Sequence, residues 1–513
     1  MTLLTKPPAG TPGTPDAPTS TPSGAREAVE RGWFRAFLLR IHFYAGILAG
    51  PFLLVAAVSG GLYAMAPQLE SALYARELHV PAVADPLPLS AQVKAAMDHA
   101  GGASPVTVRP APGPEDTTRV LFADKTLGES EYRTVFVDPG TAEIRGDLPT
   151  YGSSGALPVR TWISNLHRSL NLGEPGRVYS ELAASWLWVV ALGGLLLWID
   201  RIRRKRAGRK AAGKAAAASK AAAKAAAATP RKASGRARTV WLHGTTGTVL
   251  FLAFMFLSAT GLTWSANAGE NVSTLRMALD WTTPSLKTAL PGGESAPAGD
   301  HGGHGGGTGQ ATAPSAAPAV EPAKADPAKL DPAMFDTVTS IARADIISAP
   351  MIDIKPPAKP GMAWSVTESG REWPASASAV AIDPATGEIT HRLDFDDFNL
   401  PAKLTRWGIA AHMGMLFGLP NQLALLAVAV GLAAMVAWGY VMWWKRRPTR
   451  GSTWAVGRPA PRGAFLRAHW AGVLAAITVM VAVGLFLPLL GWSLLAFVLL
   501  DTAVGYLRGR RAA

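Results

Sequence analysis

Four histidines stand where an imidazole could do chemistry: His42, His167, His243 and His412. His167 precedes a Gly173-x-Pro175 break and an apolar run that ends at Trp198 and Arg201. His412 carries Gly418, Pro420, Trp443 and Arg446 at the same offsets. His42 and His243 each open an apolar run. Both have a glycine at four and eighteen residues on (Gly46 and Gly60, Gly247 and Gly261) and an aromatic at twenty-one (Tyr63, Trp264). An ionisable side chain at membrane depth is costly and points to function. A neutral imidazole also ligates metals. Two histidines meeting across a helix bundle can hold the iron of a b-type haem from both faces. The expected ligand pairs are His42 with His243 and His167 with His412, for two haem b groups. Gly46, Gly50, Gly193, Gly194 and Gly247 would admit a flat macrocycle or a neighbouring helix. A lone histidine at a helix end is explained well enough as an interfacial hydrogen bonder. The argument rests on four at repeat-equivalent places.

The elements that must position these residues are apolar helices. A hydrocarbon core of about 30 Å needs roughly twenty helical residues. Four runs meet that need: Ile41–Pro67, Leu182–Ile199, Trp241–Ser265 and Leu423–Trp444. A further pair, Trp470–Leu487 and Leu489–Leu507, reads as a hairpin turned around Pro488 and Gly491. The net charge of +14 is placed beside the spans, not on a nucleic-acid surface. Arg201–Arg238 carries fourteen Lys and Arg and no acid. Further basic residues precede the first span and follow the fourth and the last. By the positive-inside rule both termini and the 201–240 loop are cytoplasmic. The basic loop suits anionic lipid, and nucleic acid is not an expected partner. The first apolar run reads as a retained anchor, not a cleaved signal.

Along the chain, residues 1–25 lack the large apolar groups needed to order themselves. The first transmembrane helix occupies 26–67 and the first outer domain 68–165. An interfacial segment and second span follow at 166–200, and a basic cytoplasmic linker at 201–240. The third span is 241–265. The second outer domain is 266–405, with a Gly-, Pro- and Ala-rich insertion at 291–327 that contains His301 and His304. Then come an interfacial segment and fourth span at 406–445, a linker at 446–468 and the hairpin at 469–508. Strand-like runs at 119–123 and 132–138 and a helical run at 90–99 give the outer domains an α+β character. The turn Asp138–Ile144 reappears as Asp383–Ile389, each beginning 29 residues before its histidine. The halves are therefore one duplicated unit in parallel orientation, related by an axis along the membrane normal. The expected fold class is a membrane α-helical bundle of four core spans in two parallel repeats, with a C-terminal hairpin and two extracytoplasmic α+β domains.

There is no cysteine. That excludes disulfides, thiolate metal sites and covalent haem attachment. No phosphate loop, dinucleotide fingerprint, H-E-x-x-H or G-x-S-x-G occurs. His469 and Asp501 are read as polar residues at span ends. His79, His99 and His391 are read as surface residues. His301 and His304 make at most a partial metal site.

The span–domain–span duplication, the V-D-P-x-T-x-E-I hairpin (Val137–Ile144, Ile382–Ile389) and the L-H-x5-G-x-P approach (Leu166–Pro175) resemble PepSY-associated transmembrane proteins, also called iron-regulated membrane proteins. The resemblance covers about residues 30–450. It implies PepSY-like outer domains and, as in some members, ferric-siderophore reduction outside the membrane by two histidine-held haems. His42 and His243 would hold the inner haem, and His167 and His412 the outer one. Electrons would come from a cytoplasmic donor or quinol. The rival expectation is a non-redox, membrane-anchored scaffold or regulator. Its PepSY-like domains would bind a peptide, a protease or an envelope partner.

Overall fold

The computed structural model describes residues 33–218, 235–290, 330–445 and 469–510. The first half runs through helices α1 (Trp33–Leu48), α2 (Gly50–Ala64), α3 (Ala66–Leu73), α4 (Ala75–Leu78) and α5 (Leu89–His99). Strands β1 (Thr107–Arg109), β2 (Thr118–Phe122), β3 (Glu131–Val137) and β4 (Ile144–Tyr151) follow, then α6 (Pro158–Ser169) and α7 (Glu174–Ala218). The second half repeats the plan with α8 (Gly235–Val249), α9 (Phe251–Thr263), α10 (Asn267–Ala278) and α11 (Ala333–Ala344). It continues through β5 (Ile352–Lys355), β6 (Trp364–Glu368), β7 (Ala379–Ile382) and β8 (Ile389–Leu393) to α12 (Leu400–His412) and α13 (Gly418–Trp444). The hairpin α14 (Trp470–Phe486) and α15 (Pro488–Arg510) closes the chain. The N-terminal tract, the 291–327 insertion with His301 and His304, and the 446–468 linker lie outside the described residues.

Helices α7 and α13 are long and apolar enough to cross a membrane. The pairs α1–α2 and α8–α9 qualify when each is taken as one broken span, bent by 57° and 59°. The sequence reading has these two spans as single helices. The first bend has a local cause. Pro51 has no N–H to give to Ile47, four residues back. The orphaned Ile47 carbonyl accepts instead from the Tyr440 hydroxyl of α13, at 2.7 Å. In the second pair Leu252 stands at the place of Pro51, yet a break forms at Leu250. There Leu250 presses its Cδ1 into the notch left by Gly431 of α13. Helix α7 runs on to Ala218, well past the predicted end of the span at Ile199. Alanine and lysine sustain a helix without needing a buried face.

The two α+β units, expected as separate domains, are joined. All eight strands form one antiparallel sheet in the order β4-β3-β2-β1-β5-β6-β7-β8. The repeat axis passes between β1 and β5, where Val108 faces Ile354. Unpaired strand edges are a liability, and this pairing removes one edge from each half. One hydrophobic core serves both halves, with Val93, Val108 and Val120 packed among Phe335, Ile354 and Val366. Asp336 of α11 takes the N–H groups of Leu89 and Ser90 at the start of α5. Across the joint, Arg109 makes a two-pronged bond to Asp353, at 2.7 and 3.1 Å.

Candidate functional site

The first histidine couple lies where α1 and α8 face each other. The His42 and His243 rings are in contact, 6.2 Å between centres and nearly perpendicular at 78°. Each is anchored behind by a backbone carbonyl. Nδ1 of His42 lies 3.0 Å from the Val190 oxygen on α7, and Nδ1 of His243 lies 3.1 Å from the Met435 oxygen on α13. Val190 and Met435 occupy equivalent places in the two repeats. A carbonyl can only accept, so each Nδ1 carries the proton and each Nε2 keeps its lone pair. Gly194 of α7 makes room for the first ring, since a Cβ there would fall 2.9 Å from His42 Cε1.

The second couple sits at the sheet end. Helix α6 delivers His167 and α12 delivers His412. Nδ1 of His167 lies 3.0 Å from Ser59 Oγ, and Nδ1 of His412 lies 2.5 Å from Thr260 Oγ1. The Ser59 hydroxyl donates to the Val55 carbonyl, and the Thr260 hydroxyl to that of Phe256. Both hydroxyl protons are thus engaged, so the oxygens accept from Nδ1–H and leave Nε2 with a lone pair. Ser59 and Thr260 are themselves repeat-equivalent, separated by the same interval as His42 and His243. His167 rests on Gly60, and His412 stands edge-on to Trp264 at 5.4 Å.

The break between each of these helices and the next span explains the Gly-x-Pro spacing. Gly173 and Gly418 both have positive φ, 65° and 55°, a region that costs an L side chain about 1–2 kcal/mol. Each then opens a span, with Pro175 or Pro420 in the first turn, where a missing N–H is harmless. Gly176 is required as well, because a Cβ there would fall 1.7 Å from the Ser169 carbonyl oxygen.

Between the sheet and the bundle lies a group of arginines that reading the sequence did not single out. Arg109 and Arg160 are buried. Arg160 bonds Glu70 at 3.2 Å and rests on the Met415 sulfur. The Ser153 carbonyl accepts from Arg109, and the Ser153 hydroxyl meets Arg371 at 3.2 Å. Arg406 holds the β6–β7 loop through the carbonyls of Gly370, Ala375 and Ser376. The Nε atoms of Arg119, Arg160 and Arg168 are buried with no hydrogen-bond partner among the described residues. Burial, then the nearby Arg406, Arg160 and Arg109, push Arg371 down to about 9, against the pull of Tyr63. Burial and Arg109 push Arg119 down to about 10, although Glu70, Asp116 and Asp353 pull the other way.

Four of the other candidates have structural partners. The ring of His469 caps α14, with Nδ1 accepting from the Ala471 N–H. Asp501 pairs with Arg40, two residues before His42. His79 lies near Asp116, and His99 bonds Asp147. His391 is half-buried on β8. Among the described residues no group of three or more His, Asp or Glu could hold a metal ion; a haem needs two axial ligands.

Long apolar helices, bent apolar pairs and a single antiparallel sheet define a membrane protein with an attached α+β domain. The sequence model of the family described as PepSY-associated TM region matches residues 39–446, and the chain belongs to that family. No curated protein matches the chain.

Proposed function

We propose that the protein carries two b-type haems and moves electrons across the membrane to an acceptor on the sheet side. The carrying observation is the tautomer control: all four histidines have Nδ1 engaged, by repeat-equivalent partners, which leaves Nε2 free to bind iron. Spacing supports the first pair. Two imidazoles bound to one iron through Nε2, with metal–nitrogen bonds of about 2 Å, have ring centres roughly 6 Å apart. His42 and His243 stand at 6.2 Å. Among the described residues nothing stands within 4 Å of where a Cβ would project from Gly46, one turn beyond His42. His42 and His243 would hold one haem, His167 and His412 the other. Bound iron would supply one-electron chemistry. The chain's part is to orient the rings, keep Nδ1 protonated and exclude water with apolar walls such as Leu53, Phe254 and Leu432.

The run of arginines from Arg201, in the C-terminal part of α7 beyond its apolar stretch, supports a cytoplasmic position for that end, with the sheet outside. The acceptor on that side is proposed to be a ferric siderophore, which makes the activity ferric-chelate reduction. Electrons would enter from a cytoplasmic donor or quinol near His42. The test is the absorbance of the purified full-length protein with and without dithionite. A Soret band and a reducible α band are expected, reduced in amplitude by H42A or H412A alone and abolished by H42A/H412A. A colourless wild-type preparation after expression with added haem precursor rejects the proposal.

A further inference from the structure

Five guanidinium groups, Arg109, Arg119, Arg160, Arg371 and Arg406, face one junction between the sheet and the bundle. Among the described residues the carboxylates acting on them are Glu70, Asp116, which also faces His79, Asp353 and Glu368, one fewer than the cations. These acids are already committed. Asp353 takes both prongs of Arg109 and the Ser369 hydroxyl. Glu70 takes Arg160 and the Leu157 N–H. Glu368 holds the N–H groups of Ser348, Ala349 and Ser378.

The cations are less well served. Gly155 lies on the turn between β4 and α6. A Cβ there would fall 3.0 Å from Arg109 Nη1 and 3.9 Å from Arg119 Nη1, so the two heads converge. The Arg119 Nε is buried and without a partner among the described residues, as is that of Arg160. Arg371 has one hydroxyl, Ser153, and a Met413 sulfur at 3.9 Å. A buried donor left unmade costs about 1–3 kcal/mol. Planar guanidinium forks suit a carboxylate bonded through both oxygens.

We propose that Arg109, Arg119, Arg160 and Arg371 form a binding site for a carboxylate group at this junction, beside the His167–His412 couple. Met413 and Met415, which touch Arg371 and Arg160, stand one and three residues after His412 in the chain. Two sources share this chemistry: a propionate of a haem held by that couple, or a carboxylate of a free acid arriving from the sheet side. The first source rests on the haem reading above. The site itself rests on the arginines alone.

The experiment is calorimetric titration of citrate into the full-length protein in detergent at low salt, in haem-free and haem-loaded forms. Saturable binding to the haem-free form is expected, weakened at least tenfold in R119Q and in R371Q and restored in part by R119K. Binding that survives haem loading assigns the site to a free acid, and binding lost on loading assigns it to the propionate. If the protein takes up no haem, the haem-free titration still decides whether the site exists. R371Q alters a partly exposed side chain and serves should R119Q fail to fold. Absence of saturable binding to the haem-free form, or R119Q and R371Q both binding like wild type, overturns the proposal.

Discussion

An imidazole can point either nitrogen at a metal, and its neighbours decide which. Here a carbonyl or an occupied hydroxyl holds each Nδ1 proton. Such supporting bonds typically change metal affinity by about 10–100-fold. T260V keeps the shape of the side chain but removes the acceptor for His412. Under the proposed function the expected outcome is roughly a tenfold or greater loss of haem affinity at the second site, read by pyridine haemochrome as total haem per chain falling from two towards one. S59A should act the same way through His167. G194A tests the opposite couple: a methyl group 2.9 Å from His42 Cε1 must displace the ring. Haem retention at the first site should fall, with little change in the melting temperature of the sheet.

At the scale of elements, each broken span is held by a residue from a neighbouring helix. Tyr440 does this for α1–α2 by supplying the bond that Pro51 cannot make. Y440F should destabilise the bundle by about 1–3 kcal/mol, since the Ile47 carbonyl is left unsatisfied. Detergent-phase thermal unfolding would measure this, and an unchanged midpoint would show that the bend does not need the hydroxyl. The C-terminal hairpin is tied in more than one way. Trp186 donates to Ser493 at 3.0 Å, Asn271 to the Phe486 carbonyl at 2.9 Å, and Arg40 pairs with Asp501. The last contact links the hairpin to the helix turn that carries His42.

For the whole molecule the decisive contact is the β1–β5 joint, which makes one sheet from two repeats. The Arg109–Asp353 pair spans it almost entirely out of water. Removing one partner of a buried pair leaves an uncompensated charge and typically costs about 3–5 kcal/mol. R109A should therefore lower the stability of the sheet domain by that order. The replacement D353N should do so too, because Arg109 would lose its counter-charge. Hydrogen exchange at Val108 and Ile354 would rise in both variants if the joint opens first.

The duplication, the apolar spans, the four histidines and the paired turns were legible from the chain alone, because each depends on local spacing. Asp138 and Asp383 start matching turns since Ala142 and Gly387 both take positive φ. Ser59 and Thr260 were readable too: the repeat interval that aligns His42 with His243 also aligns these hydroxyls. The fusion of the half-sheets was not readable, because β1 and β5 are short buried runs whose pattern says nothing about which edge each will meet. Nor was the arginine cluster, whose members come from β1, β2, α6, the β6–β7 loop and α12. Their charges meet only when the chain folds the sheet down onto the bundle. Spacing along the chain determines which side chains a helix or turn presents; it carries no information about which distant side chains will share their low-dielectric surroundings.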